Sequence, residues 1–320
     1  MINEVSAEIR NYRPSDFESY LRLLARAEAL DPTGRCVLPH CVAEQLQRPN
    51  YSPEHDLFIL WNRDIAGYMD VRRELAIRRV VLDCWVAPEH RRKGLARELL
   101  SHAAAWAGGS GARVAHVDVR EDNLVAGAVL SRLGFIPVRR FLELRLDLSG
   151  ATETAKKAPP SSRGGDVDSV GLMWRCLQPG DEEQLTQLQN RAFAGAWGYS
   201  PNTVEEIAFG TRSNGCSPAD IVMVYREGRA IGYCWTVTSC EQGAPSARKG
   251  RILMVGVDPD YRGRGIGSRL LLAGLSRVKD KGLEVAELTV DRENRAACVL
   301  YRSLGFEVQA GICCYEHVLR

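Results

Sequence analysis

The sequence predicts an α/β fold with a mixed sheet, present twice in tandem. Three observations predict it. A β-branched run, Ile252 to Val257, leads through a basic glycine-rich loop into an apolar periodic segment, Leu270-Leu271-Leu272 to Val278, the order strand, loop, helix. The same order occurs earlier, from Val80-Val81-Leu82 through Arg91-Arg92-Lys93-Gly94, and from the loop onward the two copies stay 171 residues apart. Between them, Ser149 to Asp168 is rich in Pro, Ser and Gly and lacks apolar periodicity, as an exposed linker does. The expected domains are therefore 1–148 and 170–320, joined by a linker over 149–169, each long enough for its own core.

Each element has a counterpart in the other half. Ile9 to Asp16 reads as a short strand followed by a Pro/Asp helix start, and Met173 to Asp181 repeats it. Asp56 to Tyr68 and Asp220 to Tyr233 read as hairpins whose turns carry Asn62-Arg63-Asp64 and Glu227-Gly228. Strands ending at Pro88 and Pro259 come next, then the loops Arg91–Ala96 and Arg262–Gly267 with their helices. Glu284 to Val290 is another strand. Asn123 and Asn294 each precede a short helix, and Gly134-Phe135 and Gly305-Phe306 turn the chain into a last strand.

Composition narrows the function classes. The 320 residues are 45% hydrophobic and 26% charged, values of a soluble globular protein. A net charge of +2 is too close to neutral to predict a nucleic-acid or membrane-surface partner. No apolar run approaches the roughly 18 residues of a membrane span. The start, Met1-Ile2-Asn3-Glu4, has no basic and apolar leader. Ten cysteines form no C-x-x-C pair, and the adjacent Cys313 and Cys314 are poorly placed to chelate one metal, so no metal is expected. They read as small core residues of a cytoplasmic protein.

The loop after Val257 is the chemical signal. Glycines at 263, 265 and 267 ahead of a helix aim backbone N–H groups at one point, with Arg262 and Arg264 adding charge, which suits a pyrophosphate. It is not a P-loop, since no Lys-Ser or Lys-Thr follows, and its spacing is not G-x-G-x-x-G. A turn that binds nothing is the plain alternative. Arg262-Gly263-Arg264-Gly265-Ile266-Gly267 resembles the acetyl-CoA loop of the GNAT acyltransferases. Asn294, Tyr301 seven residues later and Gly305-Phe306 match a second motif of that family.

The resemblance implies two tandem GNAT acyl-CoA N-acyltransferase domains, with acetyl-CoA as donor and the amine of a small molecule as acceptor. It implies that strands four and five splay, and that the backbone of Val255, Gly256 and Val257 pairs with the donor's pantetheine arm. Arg262, Gly263, Arg264, Gly265, Ile266, Gly267 and Ser268 would then hold the diphosphate beside Asn294, and Tyr301 would protonate the departing sulfur. The first half offers a weaker version in Cys84, Trp85, Val86, Arg91, Arg92, Lys93, Gly94, Leu95 and Ala96. Its counterpart of Tyr301 is Leu130, which has no proton to give, so the second half is expected to be the catalytic one.

Strand four, Arg251 to Val257, carries no acid to serve as base. Glu241, Asp291 and His317 are candidates without a preference, each open to a plain structural reading. Phe193, Trp197 and Tyr199, with Trp235 on the third strand, are expected either to shape the acceptor pocket or to pack a loop. A tandem chain with Asn190-Arg191-Ala192-Phe193 in its second half resembles the mycothiol synthases, although Arg251 and Thr289 stand where that group is expected to hold acidic and Tyr side chains. A protein N-terminus or lysine as acceptor, or a non-catalytic coenzyme A-binding module, are the alternatives.

Overall fold

Apolar runs of period two become strands, and those of period near 3.6 become helices, in both halves of the chain. The computed structural model describes residues 7–149, 166–168, 171–213, 215–238 and 249–319. They divide into two units, Met1–Arg139 with Ile312–Arg320, and Arg140–Gly311.

In the first unit, β1 (Glu8–Asn11) leads to helices α1 (Phe17–Leu30), α2 (Pro39–Leu46) and α3 (Pro53–Asp56). Then come β2 (Leu57–Asn62), β3 (Asp64–Glu74), β4 (Arg79–Val86), α4 (Leu95–Gly109), β5 (Val114–Arg120) and α5 (Leu124–Arg132). β1 to β4 pair antiparallel in sequence order, and β4 meets β5 in parallel. One face carries a core with Leu99, Ala103 and Ala107 of α4; the other carries Tyr20, Leu23 and Leu24 of α1.

The second unit repeats this plan. Its helices are α6 (Glu182–Ala192), α7 (Val204–Gly210), α8 (Ile266–Asp280) and α9 (Arg295–Ser303). Its strands from Asp166 to Asp291 are β7 (Asp166–Val167), β8 (Met173–Cys176), β9 (Ile221–Arg226), β10 (Arg229–Thr238), β11 (Lys249–Val257) and β12 (Val285–Asp291). α8 packs through Leu270, Leu271, Leu275 and Val278, all buried. Each such side chain contributes about 1.5–3 kcal/mol when fully buried. Gly274 brings this helix against the sheet, because a Cβ there would lie 2.3 Å from the Cys234 sulfur.

The last strand of each half departs from a simple cut at the linker. β6 (Ile136–Asp147) runs into the second unit and pairs with β12, from Phe141↔Asp291 to Asp147↔Val285. β13 (Glu307–Val318) ends in the first unit, where Ile312 to Val318 pairs with β5. From Leu142 to Asp147 β6 alternates apolar and polar residues, a pattern that fixes which side chains share a face but not which strand it pairs with. Of the expected linker, Ser149 and Asp166–Asp168 are described; Asp166–Val167 pairs with β8. No helix among the described residues is long and apolar enough to cross a membrane.

Candidate active site

β11 and β12 part. They pair in parallel over three rungs only, Lys249↔Val285, Gly250↔Ala286 and Arg251↔Glu287. From Ile252 to Val257 the edge that faced β12 has no strand partner among the described residues, while the other edge stays zipped to β10. A bulge makes the turn: Trp235 faces Met254 but Thr236 faces Ile252, which leaves Leu253 unmatched. The extra residue inverts the alternation. Ile252 joins the core under α8, whereas Met254 packs against the core under α6 and α7. An open edge of N–H and C=O groups is a template for an extended, amide-bearing arm.

The glycine turn beyond is unobstructed. Gly263 and Gly265 have φ of +74° and +75°, and a Cβ on either would meet nothing within 4 Å. Gly265 is the N-cap of α8 and supplies no side-chain cap, so the first N–H groups of that helix stay available to an anion. Ile266 is buried under the turn, and Ser268 lies in the first helical turn. Arg262 spends its guanidinium on the carbonyls of Val257 (3.2 Å) and Ala192, bracing the loop. Arg264 bonds the Asp260 carbonyl at 3.1 Å and lies over the Tyr261 ring. A Cβ at Gly267 would make only ordinary contact, 3.7 Å from Val257, which is why Ala96 is tolerated at the matching place.

Tyr301, on α9, packs against the same core as α8 and meets Phe306 edge-on at 5.8 Å. Burial, and then the Cys234 and Cys298 sulfurs, push its hydroxyl well above the ordinary value of 10. It is therefore in proton-donor form throughout the neutral range. Asn294 is the N-cap of α9, its Oδ1 accepting from the Ala297 N–H at 3.1 Å. Asn123 does the same for α5 at 3.1 Å.

Of the four aromatic candidates, three are engaged in packing. Phe193 stacks on Tyr199 at 5.4 Å, and the Tyr199 hydroxyl donates to Asn190 at 2.7 Å, tying the loop after α6. Trp235 is 5% exposed and bonds the Cys216 sulfur. Trp197 is the exposed ring, 6.0 Å from Phe141 of β6.

The face of the sheet under α6 and α7 also gathers polar side chains. Arg251 lies opposite Val237, which packs into that core, and opposite Glu287 of β12; Thr289 and its partner Glu143 follow on the same face. Arg251 bonds the Thr289 hydroxyl at 2.7 Å. Glu143 was not legible as a site residue, because it belongs to the strand that crosses from the first half. Its signal was alternation: Leu142, Leu144 and Leu146 face the core, which turns Phe141, Glu143 and Arg145 the other way.

The base candidates are dispersed. Asp291 accepts from the Glu293 N–H at 2.9 Å in the turn before Asn294. His317 lies in the first unit, against Phe135 and the Gly134 carbonyl. Glu241 lies outside the described residues.

The first unit keeps the parting and changes its surroundings. β4 and β5 also pair over three rungs, ending at Val81↔His116. Cys84 is exposed and Val86 buried on the freed strand. β4 has no bulge, its register with β3 running unbroken from Gly67↔Val86 to Glu74↔Arg79. Trp85 stands where Gly256 does; its Nε1 bonds Asp31 at 2.8 Å, and Arg91 lies over its ring and on the same Asp31 at 3.1 Å. Arg92, in place of Gly263, is held at a φ of +65°. Lys93 precedes Gly94, the N-cap of α4, which begins at Leu95. Leu130 packs against the core. Across the face under α1 and α2, Arg35 pairs with Asp83, the Tyr68 hydroxyl donates to Asp83 at 3.0 Å, and Arg48 pairs with Asp70 at 2.9 Å. Burial raises the Asp70 carboxyl despite Arg48.

The sequence profile of the acetyltransferase (GNAT) family matches residues 23–135 and again 182–306. A mycothiol acetyltransferase of Sanguibacter keddieii is 28% identical over 306 residues, 95% of this chain and 94% of that one. One from Thermobifida fusca is 36% identical over 233 residues, 70% of each chain. Among solved structures, a tandem GNAT protein from the clavulanic acid biosynthesis pathway superimposes with a TM-score of 0.71 at 18% identity, covering 98% of this chain and 99% of that one. A GCN5-related N-acetyltransferase from Sphaerobacter thermophilus gives 0.69 at 22% identity, with 98% and 96% covered. At these identities the structures speak for the fold alone.

Proposed function

Since the chain belongs to the acetyltransferase (GNAT) family, we propose that its second unit transfers the acetyl group of acetyl-CoA directly to a primary amine of a small molecule. The parting of β11 and β12 next to an open glycine turn carries this reading. Acetyl-CoA supplies the reactive thioester. The freed backbone of Val255–Val257 binds the donor's arm, and an N–H aimed at its carbonyl oxygen stabilises the charge that develops there. The turn from Gly263 to Ser268 and the uncapped start of α8 hold the diphosphate. Confining amine and thioester to one cleft supplies part of the acceleration. Tyr301, kept protonated by burial, gives its proton to the departing sulfur. The Glu143 carboxylate, on the face below α6 and α7, takes the proton of the acceptor's ammonium, and the second proton that the nitrogen sheds as the amide forms restores Tyr301.

A second reading, a mycothiol-type acceptor, is favoured by the names of the relatives. Arg251 and Thr289, at the positions where the sequence departs from that group, weigh against it. The test is acetyl-CoA turnover over a broad amine panel with wild type and Tyr301→Phe. The reading expects turnover, with kcat about 100-fold lower in the variant, within the range of a general acid. No transfer to any amine would leave a coenzyme A-binding module instead.

A further inference from the structure

We infer that the second unit selects an acceptor whose amine is accompanied by an anionic group, a carboxylate or a phosphate, and that Arg251 binds that group. The inference rests on the acetyltransferase reading of the same site. Arg251 occupies the last rung before β11 and β12 separate, on the sheet face under α6 and α7. Ordinarily a strand arginine would pair with the acid directly across from it. Here that acid is Glu287, whose carboxylate is met by Lys249 at 3.4 Å. Among the described residues Arg251 makes one hydrogen bond, to the neutral Thr289 hydroxyl at 2.7 Å, and no ion pair.

That arrangement presents a guanidinium rather than neutralising it. One of its five N–H donors is used, and the bond across the strand gap fixes the orientation of the rest. A planar fork held this way matches the two oxygens of a carboxylate or phosphate. Lys249 on β11 and Arg145 on β6, the partner of Glu287, share the face, so among the described residues on these strands three cations stand with the two acids Glu287 and Glu143. An acceptor with no charge but its ammonium would meet a repelling cation at this position. Met254, just past the bulge, is three residues on, roughly 10 Å along an extended strand. The span suits a small molecule with its anion a few bonds from the amine, such as an amino acid or an amino-sugar phosphate.

The experiment uses the full chain and matched acceptors that differ only in the anion: glycine against glycinamide, O-phosphoethanolamine against ethanolamine, and glucosamine 6-phosphate against glucosamine. Wild type is expected to favour the anion-bearing member of at least one pair by about tenfold or more in kcat/KM, the size of one charge-assisted contact. Which pair responds separates carboxylate from phosphate. Arg251→Gln is expected to remove the preference through KM. In parallel, inorganic phosphate and acetate are titrated calorimetrically into protein saturated with coenzyme A, which keeps the glycine turn filled. Wild type should bind at least one of them, and Arg251→Gln should bind it about tenfold more weakly. Preference for the neutral members, or anion binding unchanged by Arg251→Gln, overturns the inference while leaving acetyl transfer standing. Failure to acetylate any acceptor, with donor binding intact, overturns the parent reading as well.

Discussion

The two units part their central strands at the same rung and differ in what stands around the gap. In the second, a bulge at Leu253, glycines at 256, 263 and 265, and Tyr301 leave an open edge, an unobstructed turn and a tyrosine hydroxyl kept protonated by burial. In the first, an unbulged strand carries Trp85 and Asp83, both tied up by neighbours, Arg92 replaces a glycine and Leu130 replaces the tyrosine. A splayed pair of strands is thus common to both units, whatever side chains stand around it. The asparagine shows the same thing. Asn123 and Asn294 both cap a helix, so retention of the residue in the first unit follows from helix geometry and says nothing about turnover.

Converting one unit's residues into the other's tests this contrast. The largest effect is expected for Tyr301→Leu, which copies Leu130: kcat should fall about 100-fold or more, with acetyl-CoA affinity changed less than about threefold. Leu130→Tyr should add no activity to that variant, because Arg35, Asp83 and Tyr68 already close the first unit's face. Equal kcat in Tyr301→Leu and wild type would remove the proton-donor role.

A feature common to both units should respond alike in each. Asp16 receives both guanidinium ends of Arg10, at 2.7 and 2.8 Å, and Asp181 is held in the same way by Arg175. The Arg10 bonds lower the Asp16 carboxyl below its ordinary 3.8; burial alone would raise Asp181, but Arg175 and the Gln178 N–H bring it below 3.8 too. A carboxyl depressed by folding adds stability above its unfolded pKa and loses it as the pH falls through the folded one. Asp16→Asn and Asp181→Asn should each cost about 2 kcal/mol at pH 7 by denaturant titration, a difference that shrinks as the pH is taken below 3.8. A cost independent of pH would mean that packing, not charge, is lost.

The smallest effect is expected at the turn. Gly263→Arg, copying Arg92, places a side chain in open space but at a φ of +74°, a strain of about 1 kcal/mol. The melting temperature should fall by about 2–4 °C. Arg92→Gly should raise it by a similar amount, and a change in one direction only would show that the two turns are not equivalent.

Much of this was legible in the sequence, for particular reasons. The glycine turn, the capping asparagine and Gly305-Phe306 are local: each residue type is required by its own backbone or helix end. The repeat was legible because both copies obey the same local demands. What stayed hidden depends on partners distant in sequence. Alternation in 142–147 says that a strand forms but not which strand it pairs with, so Glu143 and Arg145 were invisible as neighbours of Thr289 and Glu287. Leu253 looks like any strand residue until the register with β10 reveals it as unmatched. Aromatic identity alone did not distinguish Trp197, exposed beside Phe141, from Trp235, buried against Cys216.

Amide hydrogen exchange of the second unit with and without acetyl-CoA tests the central claim most directly. If the donor's arm takes the place of the missing strand, exchange within Val255–Val257 should slow by about tenfold or more at saturating ligand. Saturable binding that leaves those amides unchanged would contradict the account, since the donor would then lie somewhere other than between β11 and β12.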